Sequence, residues 1–347
     1  MEKDLIYKIN KYKTKYINLK NQHGGDNKEY IDELSYDTMN LIVTQTFLNI
    51  DWKNYDEFVS KVKDFGVAIK TIDILSHDWA QDLIQLISTE AGILYLNIQI
   101  EDFEKARNIQ SIITQIKGVK IIVNDNIMRE KTKVIDGNNY NLKKGGNYII
   151  LPNKISNKIA VLKNIITMKP KEELSKGYCK FSNNICLQIY LPDFDINIDY
   201  SGRVFHLDEI LCLIPTGISK DDYEIWFYEP LCDDETYQTK LKTIQEINKA
   251  ILQEYFPVDK IKYFPLKFSN TGHIISPPLF NRIVLRNNNR FRIIFPNQSA
   301  EIKSLIDTRL EEIKTIFNHI IYDYIDTSQL HNMNGNIHCG FKNFPNI

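Results

Sequence analysis

Apolar residues near the start of the chain fall on one helical face. Leu5, Ile9, Tyr12, Tyr16 and Leu19 recur at spacings of three and four, with Lys and Asn between them, which predicts an amphipathic helix over residues 1–21. His23-Gly24-Gly25-Asp26 breaks that pattern and reads as a linker. From about residue 40 onward, strand-like and helix-like patterns alternate. Strands are predicted at 41–47, 67–74, 93–98, 119–123, 147–151, 185–191, 210–214, 223–228 and 260–266, in runs rich in Ile, Tyr and Phe. Helices are predicted at 54–63, 103–117, 236–255 and 299–316, and surface loops at 131–144 and 233–239. Alternation of this kind points to an α/β fold. No internal repeat is legible, and no Pro/Gly-rich linker divides residues 40–347. The expected organisation is a lead-in helix and linker over 1–38, followed by one α/β domain over 39–347.

Composition narrows the function classes. The chain has 347 residues, 43% hydrophobic and 25% charged, enough for a sizeable core. Its formal net charge of −1 gives no global pull toward nucleic acid or an anionic membrane. Zinc-finger spacing and a phosphate-binding G-x-x-x-x-G-K loop are both missing, so no nucleic-acid partner is expected. No apolar run has the length of a membrane span, and the charged start MEKDLIYKINKYKTKY lacks a signal-peptide core, so no membrane partner is expected either. Cysteines stand at Cys179, Cys186, Cys212, Cys232 and Cys339, an odd number with no CxxC pair. They read as reduced thiols of an intracellular, cytoplasmic protein.

Four places could carry chemistry. Cys339 follows His338 in the Gly/Asn-rich stretch 332–340, where exposed backbone N–H groups or a nearby imidazolium would favour a thiolate. Within 202–209, His206 and Asp208 lie two residues apart. An extended chain would put them on one face, roughly 6.6 Å apart, as an acid/base imidazole beside a cation-binding carboxylate. Trp79 and Asp82 follow the strand predicted at 67–74, at the strand end where α/β sheets bind ligands. Gly145-Gly146-Asn147 precedes another strand and permits close backbone approach. Taken singly, each has a bland reading: a core cysteine, a surface His and Asp, a capping Asp and a hairpin turn.

Their joint order is more specific. Trp79-Ala80-Gln81-Asp82, then Gly145-Gly146-Asn147, then Phe205-His206-Leu207-Asp208-Glu209-Ile210, then Gly335-Asn336-Ile337-His338-Cys339-Gly340 resembles the layout of the protein-arginine deiminases. Those enzymes read WIQDE, FGN, GHVDEF and GEVHCGTN. The stretch 276–285, with Pro277 and Pro278, also resembles a segment before that family's last helix. The lysine-rich lead-in resembles N-terminal stretches on many proteins of large DNA viruses.

The resemblance implies a pentein fold, an α/β propeller of five ββαβ-type units with pseudo-fivefold symmetry. It implies that Cys339 attacks a guanidinium carbon and that His206 protonates the departing ammonia and then activates water. Asp82 and Asp208 would clamp guanidinium nitrogens, Trp79 would line the slot, and the backbone of Gly146 would contact substrate. The expected activity is hydrolysis of an amidine C–N bond, giving citrulline and ammonia from an arginine-containing protein, peptide or small guanidine. Arg107 is the nearest candidate for an arginine gripping a substrate peptide. An agmatine or free-arginine hydrolase or an amidinotransferase, using Arg107 or Arg203 on a carboxylate, is the alternative of the same fold, and an inactive binding module is another. Calcium positions in the resembled family fall on Leu83, Gln85 and Ile149, where acidic oxygens are missing, so no cofactor is expected. Phe341 and Lys342 replace that family's Thr-Asn pair after HCG.

Overall fold

The computed structural model describes Leu34, residues 37–72, Trp79, Ala80, eight strands between residues 84 and 189, and residues 206–345 apart from 220–221, 271–272 and 334. The helices predicted over 1–21 and 103–117 lie outside the described residues.

Among the described residues, five three-stranded sheets share one pairing scheme. In each, the middle strand runs antiparallel to one neighbour and parallel to the other. The middle strands, in chain order, are Thr38–Thr44, Leu94–Gln99, Lys158–Asn164, Tyr223–Cys232 and Arg290–Pro296. Their antiparallel partners are Phe341–Pro345, Ile84–Ser88, Tyr148–Ile155, Leu211–Pro215 and Ile283–Asn287. Their parallel partners are Ala68–Ile72, Val119–Asn124, Ile185–Ile189, Ile261–Phe268 and Ile320–Ile325. A parallel pair needs a crossover of a dozen or more residues, and a helix is the usual means. Such helices, Tyr55–Asp64, Glu235–Tyr255 and Ala300–Ile316, are described in the first, fourth and fifth sheets. The first sheet takes its antiparallel strand, Phe341–Pro345, from the far end of the sequence.

Local chemistry explains the boundaries. Asp234 accepts a hydrogen bond from the Tyr237 N–H at 2.8 Å and caps the Glu235–Tyr255 helix, so the loop predicted at 233–239 is largely helical. Thr44 caps the short helix Gln45–Leu48 through the Phe47 N–H at 3.1 Å, which ends the strand predicted over 41–47 three residues early. Lys131–Ile135 and Asn138–Leu142 pair as a hairpin where a loop was predicted over 131–144. Asp136-Gly137, a dipeptide favoured by two-residue hairpins, stands between the paired Ile135 and Asn138.

Two apolar clusters anchor the sheets. The larger joins Leu211–Pro215 and Tyr223–Cys232 to the Glu235–Tyr255 and Ala300–Ile316 helices, and it includes Leu34. The smaller gathers Leu41, Val43, Phe47, Phe58, Ile283, Leu330, Ile337 and Phe341. Every residue of Leu211–Pro215 is buried, the mark of a strand covered on both faces. Cross-sheet hydrogen bonds fix the order of neighbours. Arg282 Nη2 donates to the Leu213 carbonyl at 2.6 Å, joining the fifth sheet to the fourth. Asn343 Nδ2 donates to the Val284 carbonyl at 2.6 Å, joining the first to the fifth. Among the described residues, no helix is long and apolar enough to cross a membrane.

Candidate functional site

Cys339 lies in a turn that ends at the first sheet. Asn336 Oδ1 accepts from the Ile337 N–H at 2.9 Å and starts the short helix Ile337–Gly340, which runs directly into Phe341–Pro345. Phe341 pairs with Val43 and is buried beside Phe47 and Phe58, so the strand fixes where the turn stands. A Cβ at Gly340 would collide with the Phe47 ring, so this position needs glycine. Cys339 itself is 5% exposed.

His206 and Asp208 are not on an extended strand. His206 is extended, with φ −134° and ψ 155°, but Leu207–Glu209 is a single 3-10 turn whose entry is held by the His206 N–H donating to Glu209 Oε2 at 3.2 Å. This turn replaces the separation expected of an extended chain. It puts the His206 ring, the Asp208 carboxylate and the Cys339 sulfur within 4.8 Å of one another.

Asp208 is 1% exposed. Its Oδ2 lies 2.6 Å from His338 Nδ1, which carries the proton when the carboxylate accepts. Its Oδ1 is buried and takes no hydrogen bond from the described residues. A buried acceptor without a donor costs about 1–3 kcal/mol, and more when charged. His206 is less buried than Asp208 and Cys339, so its imidazole is the group of the three most open to solvent.

Asn281, which the sequence offered with no role, touches the cysteine. Its Nδ2 donates to Cys339 Sγ at 3.3 Å, and its Oδ1 accepts from the His338 N–H at 2.9 Å. Trp79 is brought to the same turn. Its ring meets Phe47 edge-on, with centroids 5.9 Å apart, and lies where a Cβ at Gly335 would have to go. Asp82, Gly146 and Arg107 lie outside the described residues, as do Gln81, Leu83 and Arg203.

Imidazole, carboxylate and thiol are also a donor set of the kind that takes zinc, although His338 already holds one Asp208 oxygen. Of the three positions that the resemblance links to calcium, Ile149 is the one with a described side chain. Ile149 packs against the apolar core, offering hydrocarbon where calcium needs oxygen.

Neither a protein-family model nor a curated protein matches the sequence. Solved structures do. Agmatine deiminase of C. jejuni is 15% identical, with a TM-score of 0.54, over 92% of this chain and 96% of that one. A cysteine-to-serine variant of that enzyme with substrate bound gives 14% and 0.57 over the same shares. Agmatine deiminase of Enterococcus faecalis gives 12% and 0.52, again over 92% and 96%. The chain has the α/β fold of these deiminases, the pentein fold.

Proposed function

We propose that this protein hydrolyses a guanidinium C–N bond through a covalent intermediate on Cys339. One observation carries the reading. A buried carboxylate with one oxygen that takes no hydrogen bond from the described residues stands within 4.8 Å of a thiol and an imidazole. Guanidinium is planar, cationic and rich in N–H donors, so it suits that oxygen in both charge and shape.

In the proposed sequence, Asp208 and Asp82 hold the guanidinium and Trp79 walls the slot. The Cys339 thiolate forms a C–S bond to the guanidinium carbon. His206, as imidazolium, protonates one amino group, the C–N bond breaks and ammonia leaves. A thiouronium remains on Cys339. His206, now neutral, takes one proton from water as its oxygen attacks the same carbon; the C–S bond then breaks to return the thiolate, and the second water proton is lost to solvent, where the departed ammonia takes it up. The balance is guanidinium plus water to a ureido group plus ammonium. The five sheets are taken as the five units of the propeller, and no calcium step is required.

Structural neighbours named as agmatine deiminases support a small guanidine as substrate. Peptidyl-arginine is the second reading, carried by the motif order. The test is a chloroacetamidine-bearing arginine mimic incubated with the protein, with and without calcium, followed by peptide mass spectrometry. A panel of agmatine, arginine and benzoyl-arginine is assayed for ureido product. Labelling confined to Cys339 and lost in His206→Ala is expected. No adduct on a folded sample in either condition would overturn the reading and favour a binding module.

A further inference from the structure

Four sheets carry a motif just ahead of their antiparallel strand. Cys339 stands two residues before Phe341, Asp82 two before Ile84, Gly146 two before Tyr148, and Asp208 three before Leu211. In the fifth sheet the equivalent position, two before Ile283, is Asn281. It is fully buried.

The orientation of the Asn281 amide is fixed by its own contacts. Its oxygen faces the His338 N–H at 2.9 Å, which can only donate, so the NH2 must face the sulfur 3.3 Å away. Arg282 anchors the next residue to the Leu213 carbonyl, which leaves little room for the amide to move. An N–H donor at sulfur favours the anion over the thiol, because hydrogen bonds to a charged acceptor are stronger than those to a neutral one. We propose that Asn281 is a positioning residue of the reaction centre, donating to Cys339 Sγ so that the sulfur is held in place and its thiolate form is favoured. Through the His338 backbone, the same amide also steadies the imidazole that holds Asp208. The inference rests on Cys339 as the nucleophile.

The test is the pH profile of Cys339 alkylation by iodoacetamide, followed peptide by peptide in the whole chain. Asn281→Ala should move the profile about one pH unit higher and slow alkylation at neutral pH about tenfold. Asn281→Asp is nearly isosteric, keeps the acceptor for His338 and replaces the donor with a charge, so it should move the profile further. If turnover is measurable, kcat should fall at neutral pH and recover at higher pH, which a merely structural loss would not do. A profile unchanged from the parent in either folded variant, or a fall in rate at all pH values without a shift, would overturn the proposal. Iodoacetamide needs no guanidine site, so failure here is separable from failure of the haloacetamidine labelling.

Discussion

Replacing Asp208 with Asn should separate activity from stability. The substitution keeps the volume of the side chain and an acceptor for His338 Nδ1, now 2.6 Å from Oδ2. It removes the charge that would face a guanidinium. Losing one partner of a buried, hydrogen-bonded charge pair costs about 2–5 kcal/mol. Taking about 3 kcal/mol for one of two carboxylates gives a loss of about 10²-fold in kcat/KM. Folding should respond differently. Asp208 is 1% exposed and its Oδ1 takes no hydrogen bond from the described residues, so the native state buries a charge at a cost that the neutral amide lowers, offset in part by the N–H donors it leaves without a partner. The unfolding free energy of Asp208→Asn should therefore rise, or stay within about 1 kcal/mol of the parent. The assay pairs guanidinium chloride unfolding with ureido-product kinetics on agmatine and benzoyl-arginine. A loss of more than about 3 kcal/mol in stability would mark Asp208 as a structural partner of His338 and refute the argument. So would activity within fivefold of the parent.

Three further outcomes follow from the geometry. Gly335→Ala should destabilise by about 1–3 kcal/mol, because its Cβ would collide with the Trp79 indole. In a double-mutant cycle with Trp79→Leu, the cost should shrink, and strict additivity would sink the contact. Asp323→Asn should cost about 1–3 kcal/mol at pH 7, read from urea unfolding. Burial pushes the Asp323 carboxyl up, but hydrogen bonds from Arg292 at 2.7 Å and Lys61 at 3.1 Å outweigh it and hold it low. Its stabilising contribution is thus present above the unfolded value near pH 4 and lost as pH falls through the folded one. Burial pushes His331 down, partly offset by its contact with the Ile274 carbonyl at 3.1 Å. Below about pH 6.5 the unfolded chain binds a proton that the folded chain resists, so stability should fall with pH there and His331→Gln should flatten the dependence. Equal slopes in parent and variant would refute that assignment.

How much of the site the sequence revealed depended on the kind of residue involved. Thiol, imidazole and indole announce chemistry by type, and Cys339, His206, Asp208 and Trp79 all come to one turn in the structure. The predicted helices at 236–255 and 299–316 lie within a residue of Glu235–Tyr255 and Ala300–Ile316, because Asp234 and Ser299 cap them locally. Tertiary pairing was less legible. The repeated pairing scheme hid behind sheets that share no residue pattern, with a crossover helix of 10 residues in the first and 21 in the fourth. Asn281 was hidden for a different reason. An amide between Phe280 and Arg282 has no signature until Ile283–Asn287 and Phe341–Pro345 are seen on adjacent sheets. The Leu207–Glu209 turn also defeated a two-residue periodicity argument, since apolar and polar positions alternate there as they would in a strand.

In the proposed reaction, position in the fold does much of the work of holding the site residues. Cys339, Asp208 and Asn281 each stand at most three residues ahead of a strand whose first residue is buried. Phe341, Leu211 and Ile283 are each no more than 1% exposed. A two- or three-residue tether to a close-packed strand allows little wander, so the sheet fixes the side chain without a loop specific to the task. What the strands must preserve is burial and register, and many apolar sequences meet that requirement. The site residues meet across sheets: Asp208 of the fourth holds His338 of the first, and Asn281 of the fifth holds both His338 and Cys339. The first sheet supplies His338 and Cys339, the fourth Asp208 and the fifth Asn281. In the proposed reaction, the chemistry is therefore concentrated in a few positions held by packed strands.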